Sequence, residues 1–285
     1  MEIRTDLALE AREAVQGQAE EIRGVTLEES YDRELELKVT KVVIETKNGA
    51  KIMGKPIGTY ITLESPFLCD EEEEHHHKIA GKLAETLREL LPETDEEKSI
   101  LVVGLGNRDV TADALGPAAV DHLFINRHII LEFGTAAYNR ERMNQVSSIV
   151  PGVMARTGME SAEIVRGVTM QTNPDLIIVI DALAARSTKR LNRTIQITDT
   201  GIHPGSGVGN NRHAMTRESL GVPVIAIGIP TVVDAATIVH DAVKDWNSST
   251  TELHNMYVTG KDIDAVIATL SLTVAEAVNE ALNLD

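Results

Sequence analysis

The chain is 285 residues long, with 44 acidic and 27 basic side chains and a formal net charge of −17. Its 42% apolar and 25% charged residues are ordinary globular usage and exclude wholesale disorder. Aromatics at 3% exclude a stacking platform for single-stranded nucleic acid, the acidity excludes direct nucleic-acid binding, and one cysteine, Cys69, excludes an internal disulfide. The opening MEIRTDLALEAREAV is charged at once and does not read as a signal peptide. No apolar run approaches the length of a bilayer span. The expectation is a soluble, cytoplasmic protein with an aliphatic core and no membrane contact.

Acidity is concentrated early: residues 1–98 hold 24 acidic and 13 basic side chains, a balance of −11, against −6 over residues 99–285. Leu35 to Thr46 alternates like a half-buried strand. Asn48-Gly49 signals a hairpin turn, with Lys51 to Met53 beginning the returning strand. Gly58 to Leu63 is a further strand. Asp70 to Lys78 (DEEEEHHHK) reads more readily as a solvated loop than as a metal site built on His75, His76 and His77. Ile79 to Leu91 predicts an amphipathic helix with Ile79, Leu83, Leu87 and Leu90 on one face. Pro92 and the charged run after it mark a boundary. Beyond it stand short apolar runs at 99–103, 176–180, 194–198 and 222–227, spaced by helix-length segments. They predict an α/β fold with a mainly parallel central sheet flanked by helices. Residues 7–98 read as a β-rich accessory portion with a linking helix, and residues 99–285 as the α/β portion, closing on a helix over Ile263 to Leu282.

Polar residues just past such strands lie where open α/β sheets bind ligands. The run at 99–103 leads into Gly104-Leu105-Gly106-Asn107, but Asp109 stands where a dinucleotide fingerprint needs its third glycine, and no Lys-Ser/Thr follows for a P-loop. No nucleotide cofactor is expected. What remains is a tight turn and Asp113, just before a helix starting near Leu115; an N-cap role for Asp113 or Asp109 is the plainer reading. Asp181 ends the run LIIVI, and there too an N-cap competes with a functional carboxylate. Two partly desolvated carboxylates on neighbouring strands can polarise one water for attack on a carbonyl. Asp199 to Asn210 (DTGIHPGSGVGN) holds four glycines; it is either a mobile surface loop or a cradle of backbone N–H groups for an oxyanion. His203 within it is open to a ligand or base role. Cys69 has no neighbouring base and reads as structural.

Several long stretches together resemble the germination protease family of spore-forming bacteria. They are Arg4 to Ala8, VVGLGN at 102–107, VTADALGP at 110–117, PGVMARTGMESAEI at 151–164, PDLIIVIDALAARS at 174–187, RTIQITDTGIHPGSGVGNNR at 193–212 and GVPVIAIGIPTVVDA at 221–235. The resemblance implies an atypical aspartic-type endopeptidase, similar in fold to hydrogenase-maturation endopeptidases. It would start the degradation of small acid-soluble spore proteins during germination, in the cytoplasm of the spore. It selects Asp113, reached from Leu105-Gly106-Asn107, and Asp181 of the pair Asp181-Ala182 as catalytic. Asn107, Gly205, Ser206 and Gly207 become substrate-channel candidates. It also implies a homotetramer and a self-processing zymogen: Asp6-Leu7-Ala8 resembles the pattern cleaved in the substrates, so residues 1–6 would be a pro-segment removed between Asp6 and Leu7. No cofactor or resident metal is implied, His203 being the one candidate ligand. Two other classes stay open: a metal-dependent maturation-type endopeptidase using Asp113, Asp181 and His203, and a non-enzymatic acidic protein that sequesters basic partners.

Overall fold

The structure, a computed structural model, describes residues 7, 22–70, 72–92, 97–203, 213–242, 253 and 256–284. Strands β1 (Val25–Asp32), β2 (Leu37–Ile44) and β3 (Gly58–Glu64) form an antiparallel meander. Strands β4 (Ser99–Gly104), β5 (Gln145–Ile149), β6 (Leu176–Ala185) and β8 (Val224–Asp234) are mutually parallel in the order β5-β4-β6-β8. Strand β7 (Thr194–Thr198) pairs antiparallel with both β3 and β8 and joins the two groups into one sheet. A short β9 (Tyr257–Val258) adds to the far end of β8.

The α/β expectation therefore holds, with its parallel part confined to four strands. β7, read from sequence as one more parallel strand, runs the other way. Residues 186–193 alone connect it to β6, too few for the crossover a parallel strand needs. The first third of the chain extends this same sheet through β3.

Among the described residues the helices are α1 (Lys47–Met53), α2 (Glu73–Leu90), α3 (Leu115–Asp121), α4 (Arg127–Phe133), α5 (Met154–Thr157), α6 (Ser161–Thr172), α7 (Arg217–Leu220), α8 (Ala235–Ala242) and α9 (Ile263–Ala281). Two local expectations are corrected. Asn48-Gly49 makes no hairpin: the Thr46 hydroxyl accepts the Gly49 N–H at 3.0 Å, caps α1, and Gly54 ends that helix in the left-handed region. The run DEEEEHHHK is no loop either, because α2 already begins at Glu73. The helix over 263–281 agrees with its sequence reading to within a residue.

Strand alternation divides the core between the two faces. Ile100, Val102, Ile178, Ile180, Ile225 and Ile227 face Ile79, Leu83 and Leu87 of α2, Leu115 and Ala119 of α3, and Leu270, Val274 and Val278 of α9. Leu101, Val103, Ile177 and Val179 face Val165 of α6 and Leu220 of α7, together with Met215. Both faces of β4 and β6 are thus dry, and their runs are apolar without interruption. Among the described residues no helix is long and apolar enough to cross a membrane.

Cys69 takes a structural place, as its sequence setting implied. Its thiol donates to the Asn192 carbonyl at 2.7 Å, and burial pushes its pKa up from 9.0 to about 11. The fold holds the neutral thiol. The stability this contributes is present below the unfolded thiol's value and is lost as pH rises through about 11. At pH 8 a thiol reagent should modify native protein far more slowly than urea-unfolded protein, read by mass; equal rates would contradict the burial.

Candidate active site

The site begins where β4 stops. Gly104 pairs with Ile180 of β6, and the next residue, Leu105, still donates its N–H to the Ile180 carbonyl at 2.9 Å. Gly106 then adopts φ +124°, a conformation open to glycine; a Cβ there would sit 1.9 Å from the Asp113 carbonyl oxygen. The chain closes on itself at this point. Asn107 N–H donates to the Asp113 carbonyl (3.0 Å), Val110 N–H to the Asn107 carbonyl (3.1 Å), and Asp113 N–H to the Val110 carbonyl (2.8 Å). Thr111–Asp113 form one turn of 3-10 helix, and α3 starts immediately after it.

Three contacts fix this turn on the sheet. The buried Thr231 hydroxyl, on β8, donates to the Ala112 carbonyl at 2.5 Å. Gly116 lies so close that an added Cβ would meet the carbonyl oxygens of Ile180 and Leu105 at 2.4 Å each. Arg156 of α5 pairs with Asp109, tying the turn after β4 to the segment after β5. Arg108 also grips Asp121 through two nitrogens, at 2.5 and 2.8 Å, which holds Asp121 in its charged form.

Neither aspartate is the helix cap that spacing alone favoured. Ala114 holds the cap position of α3, and no side chain caps it. Asp181 lies inside β6, one residue past the last β4–β6 pair, Gly104–Ile180, and the strand runs on along β8 to Ala185. It is 7% exposed, sits opposite Gly228, and its Oδ1 accepts the N–H of Ala182 at 2.9 Å. By alternation it shares the face of Ile177 and Val179. The turn bearing Asp113 packs against β6 and β8, so the two carboxylates picked from sequence reach the same carboxyl edge of the sheet. Asn107 is half-buried at the neck of this turn.

Gly205, Ser206 and Gly207 lie outside the described residues. Because β7 is reversed, Asp199 leaves at the opposite edge, where its Oδ1 accepts Thr59 N–H at 2.8 Å. The chain then crosses the face: Ile202 bridges Met215, and both pack with Val179 and Leu105. His203 is exposed beyond this bridge. On the returning side His213 brings both its N–H (3.0 Å) and its Nδ1 (2.6 Å) to Glu160, which caps α6. Ile202 and Met215 thus pack on the face that Asp181 shares. Thr231, Arg156 and His213 escaped the sequence reading, since a lone Thr, Arg or His carries no spacing signal; only the fold delivers them. Among the described residues, the three-ligand groupings of His, Cys, Asp and Glu include none of Asp113, Asp181 and His203.

Comparison with known proteins places this geometry. The germination protease family model matches residues 2–246. The germination protease of Caldanaerobacter subterraneus is 43% identical over 311 aligned positions, covering 98% of this chain and 94% of that one. That of Clostridium tetani is 41% identical, covering 99% and 96%, and that of Bacillus subtilis 46% identical, covering 85% and 66%. A NiFe hydrogenase maturation protease from Thermococcus kodakarensis is a structural neighbour at 16% identity and TM-score 0.39, covering 70% of this chain and 99% of its own. That score is too low to carry an argument.

The Gly116 contact is testable. Gly116→Ala should cost at least about 2 kcal/mol, because the atoms it meets are backbone. Gly167→Ala, on the exposed face of α6 with open space around it, should be neutral or stabilising by up to about 1 kcal/mol. Urea denaturation of both variants reads this, and equal effects would contradict the close approach.

Proposed function

We propose a chemistry for this chain, which belongs to the germination protease family and is a germination endopeptidase. Asp113 and Asp181 flank the scissile carbonyl of a bound peptide and act together on one water. One carboxylate takes the water's proton as it attacks; the other, protonated, donates to the developing oxyanion. The proton then passes to the departing amine. The observation that supports this reading is the turn 105–116, which backbone bonds, Thr231 and Gly116 hold against β6 at the level of Asp181. Such fixation is what two carboxylates need to act without a costly rearrangement.

The substrates we propose are the small acid-soluble spore proteins, and the place of action the spore cytoplasm. These substrates coat DNA. A protease at −17 is itself repelled by phosphate, so it meets the protein and leaves the polymer. Gly205, Ser206 and Gly207, in the sequence between the bridged Ile202 and Met215, would line the substrate channel together with Asn107 at the turn. We propose further that the chain assembles as a homotetramer and is made as a zymogen that cuts itself between Asp6 and Leu7. Asp6 lies outside the described residues; the Leu7 side chain is fully buried.

Asp113→Asn and Asp181→Asn should each lower cleavage of a small acid-soluble spore protein at least about a thousandfold and leave the melting temperature within a few degrees. Mass mapping of the digest reads the first and calorimetry the second. Turnover like the wild type in either variant would falsify the two-aspartate mechanism. N-terminal sequencing of protein that has gained activity should find Leu7; an intact Met1 would remove the self-processing proposal.

A further inference from the structure

The run DEEEEHHHK has no part in the chemistry above, and folding gives it a setting that its sequence did not announce. His76 and His77 lie near the start of α2, and α9 packs alongside so that Glu276 meets both. His76 Nε2 is 2.9 Å from one oxygen of that carboxylate, and His77 Nδ1 is 2.5 Å from the other. One donor atom from each of the three residues falls within 4.8 Å of the rest.

The proton on His76 is fixed by its other nitrogen. The Thr273 hydroxyl donates to the Thr269 carbonyl at 3.0 Å, so its oxygen accepts from His76 Nδ1–H at 2.8 Å. In a neutral ring the lone pair is then on Nε2, and it faces a carboxylate oxygen. That arrangement is repulsive unless a cation lies between the two atoms. A second ring nitrogen bonded to a fixed acceptor is also the usual outer support of a metal-ligating histidine.

We propose that His76, His77 and Glu276 bind a divalent transition cation of the zinc class, which pins the start of α2 to α9. Two imidazoles and one carboxylate suit such an ion better than calcium or magnesium, which take all-oxygen sets. Tetrahedral donors about 2.0–2.2 Å from one ion stand roughly 3.4 Å apart, inside the 4.8 Å within which these three donors already lie. His77 is more than half exposed, so water reaches the remaining coordination position. The neighbouring group of Asp70, Glu72 and His75 offers one imidazole and two carboxylates and serves as the internal comparison.

The test uses the full chain without an affinity tag, stripped by a chelator and titrated with zinc chloride by calorimetry, with melting curves in parallel. One zinc per chain should bind at this site and raise the melting temperature, while equal calcium or magnesium should not. His77→Gln, exposed enough to leave the fold intact, and Glu276→Gln should each weaken zinc at least about tenfold. Thr273→Val, which touches no metal, should also weaken it about tenfold by releasing the His76 ring. Asp70→Asn should leave it unchanged. Unaltered zinc affinity in folded His77→Gln and Glu276→Gln, stabilisation by calcium equal to that by zinc, or loss of binding in Asp70→Asn alone would overturn the proposal.

Discussion

The close approach of two backbones decides where the chemistry can be. The segment after β4 lies on the Ile180 carbonyl through the Leu105 N–H, and Gly116 sits against the same oxygen with no room for a side chain. Everything in the site follows from that contact. It brings the 3-10 turn of Asp113 down onto β6 and β8, lets Thr231 reach the Ala112 carbonyl, and sets α3 against the sheet face that α2 and α9 cover. A larger residue at 116 would lift the turn and the aspartate with it. Asp181 needs no such device, because a continuous strand, paired on both sides up to Gly104, delivers it.

The parts of the fold legible in the sequence were those governed by local pattern. The dry runs of β4 and β6 and the apolar stripe of α9 read correctly because burial on two faces, or on one helical stripe, leaves a periodic trace. The misreadings come from competing signals that periodicity does not weigh. Asn48-Gly49 is a hairpin signal, but Thr46 offered the backbone a helix cap first. The acidic and histidine-rich run was assigned to solvent, yet it continues a helix whose later turns are deeply buried against α9. The direction of β7 depended on how few residues precede it, not on its composition.

The two aspartates were visible for a related reason. Each follows an apolar run closely enough that its position at the sheet edge could be inferred, although spacing alone favoured a capping role. The family resemblance, not spacing, is what singles them out for the proposed chemistry. The supporting residues carried no comparable trace. Thr231 is one threonine in an otherwise aliphatic strand, and its partner is a carbonyl more than a hundred positions earlier. The net charge of −17 likewise said nothing about catalysis; −11 of it falls in residues 1–98 of the sequence, which hold neither aspartate.

The proposed mechanism stands on Asp113 and Asp181 acting on one water. It is tested most directly by a crystal structure of the active enzyme with a peptide inhibitor carrying a tetrahedral phosphinate in place of the scissile amide. Both carboxylates should then lie within hydrogen-bond distance, about 2.5–3.0 Å, of the phosphinate oxygens. A phosphinate bound with either aspartate out of reach, or with another side chain in its place, would contradict it.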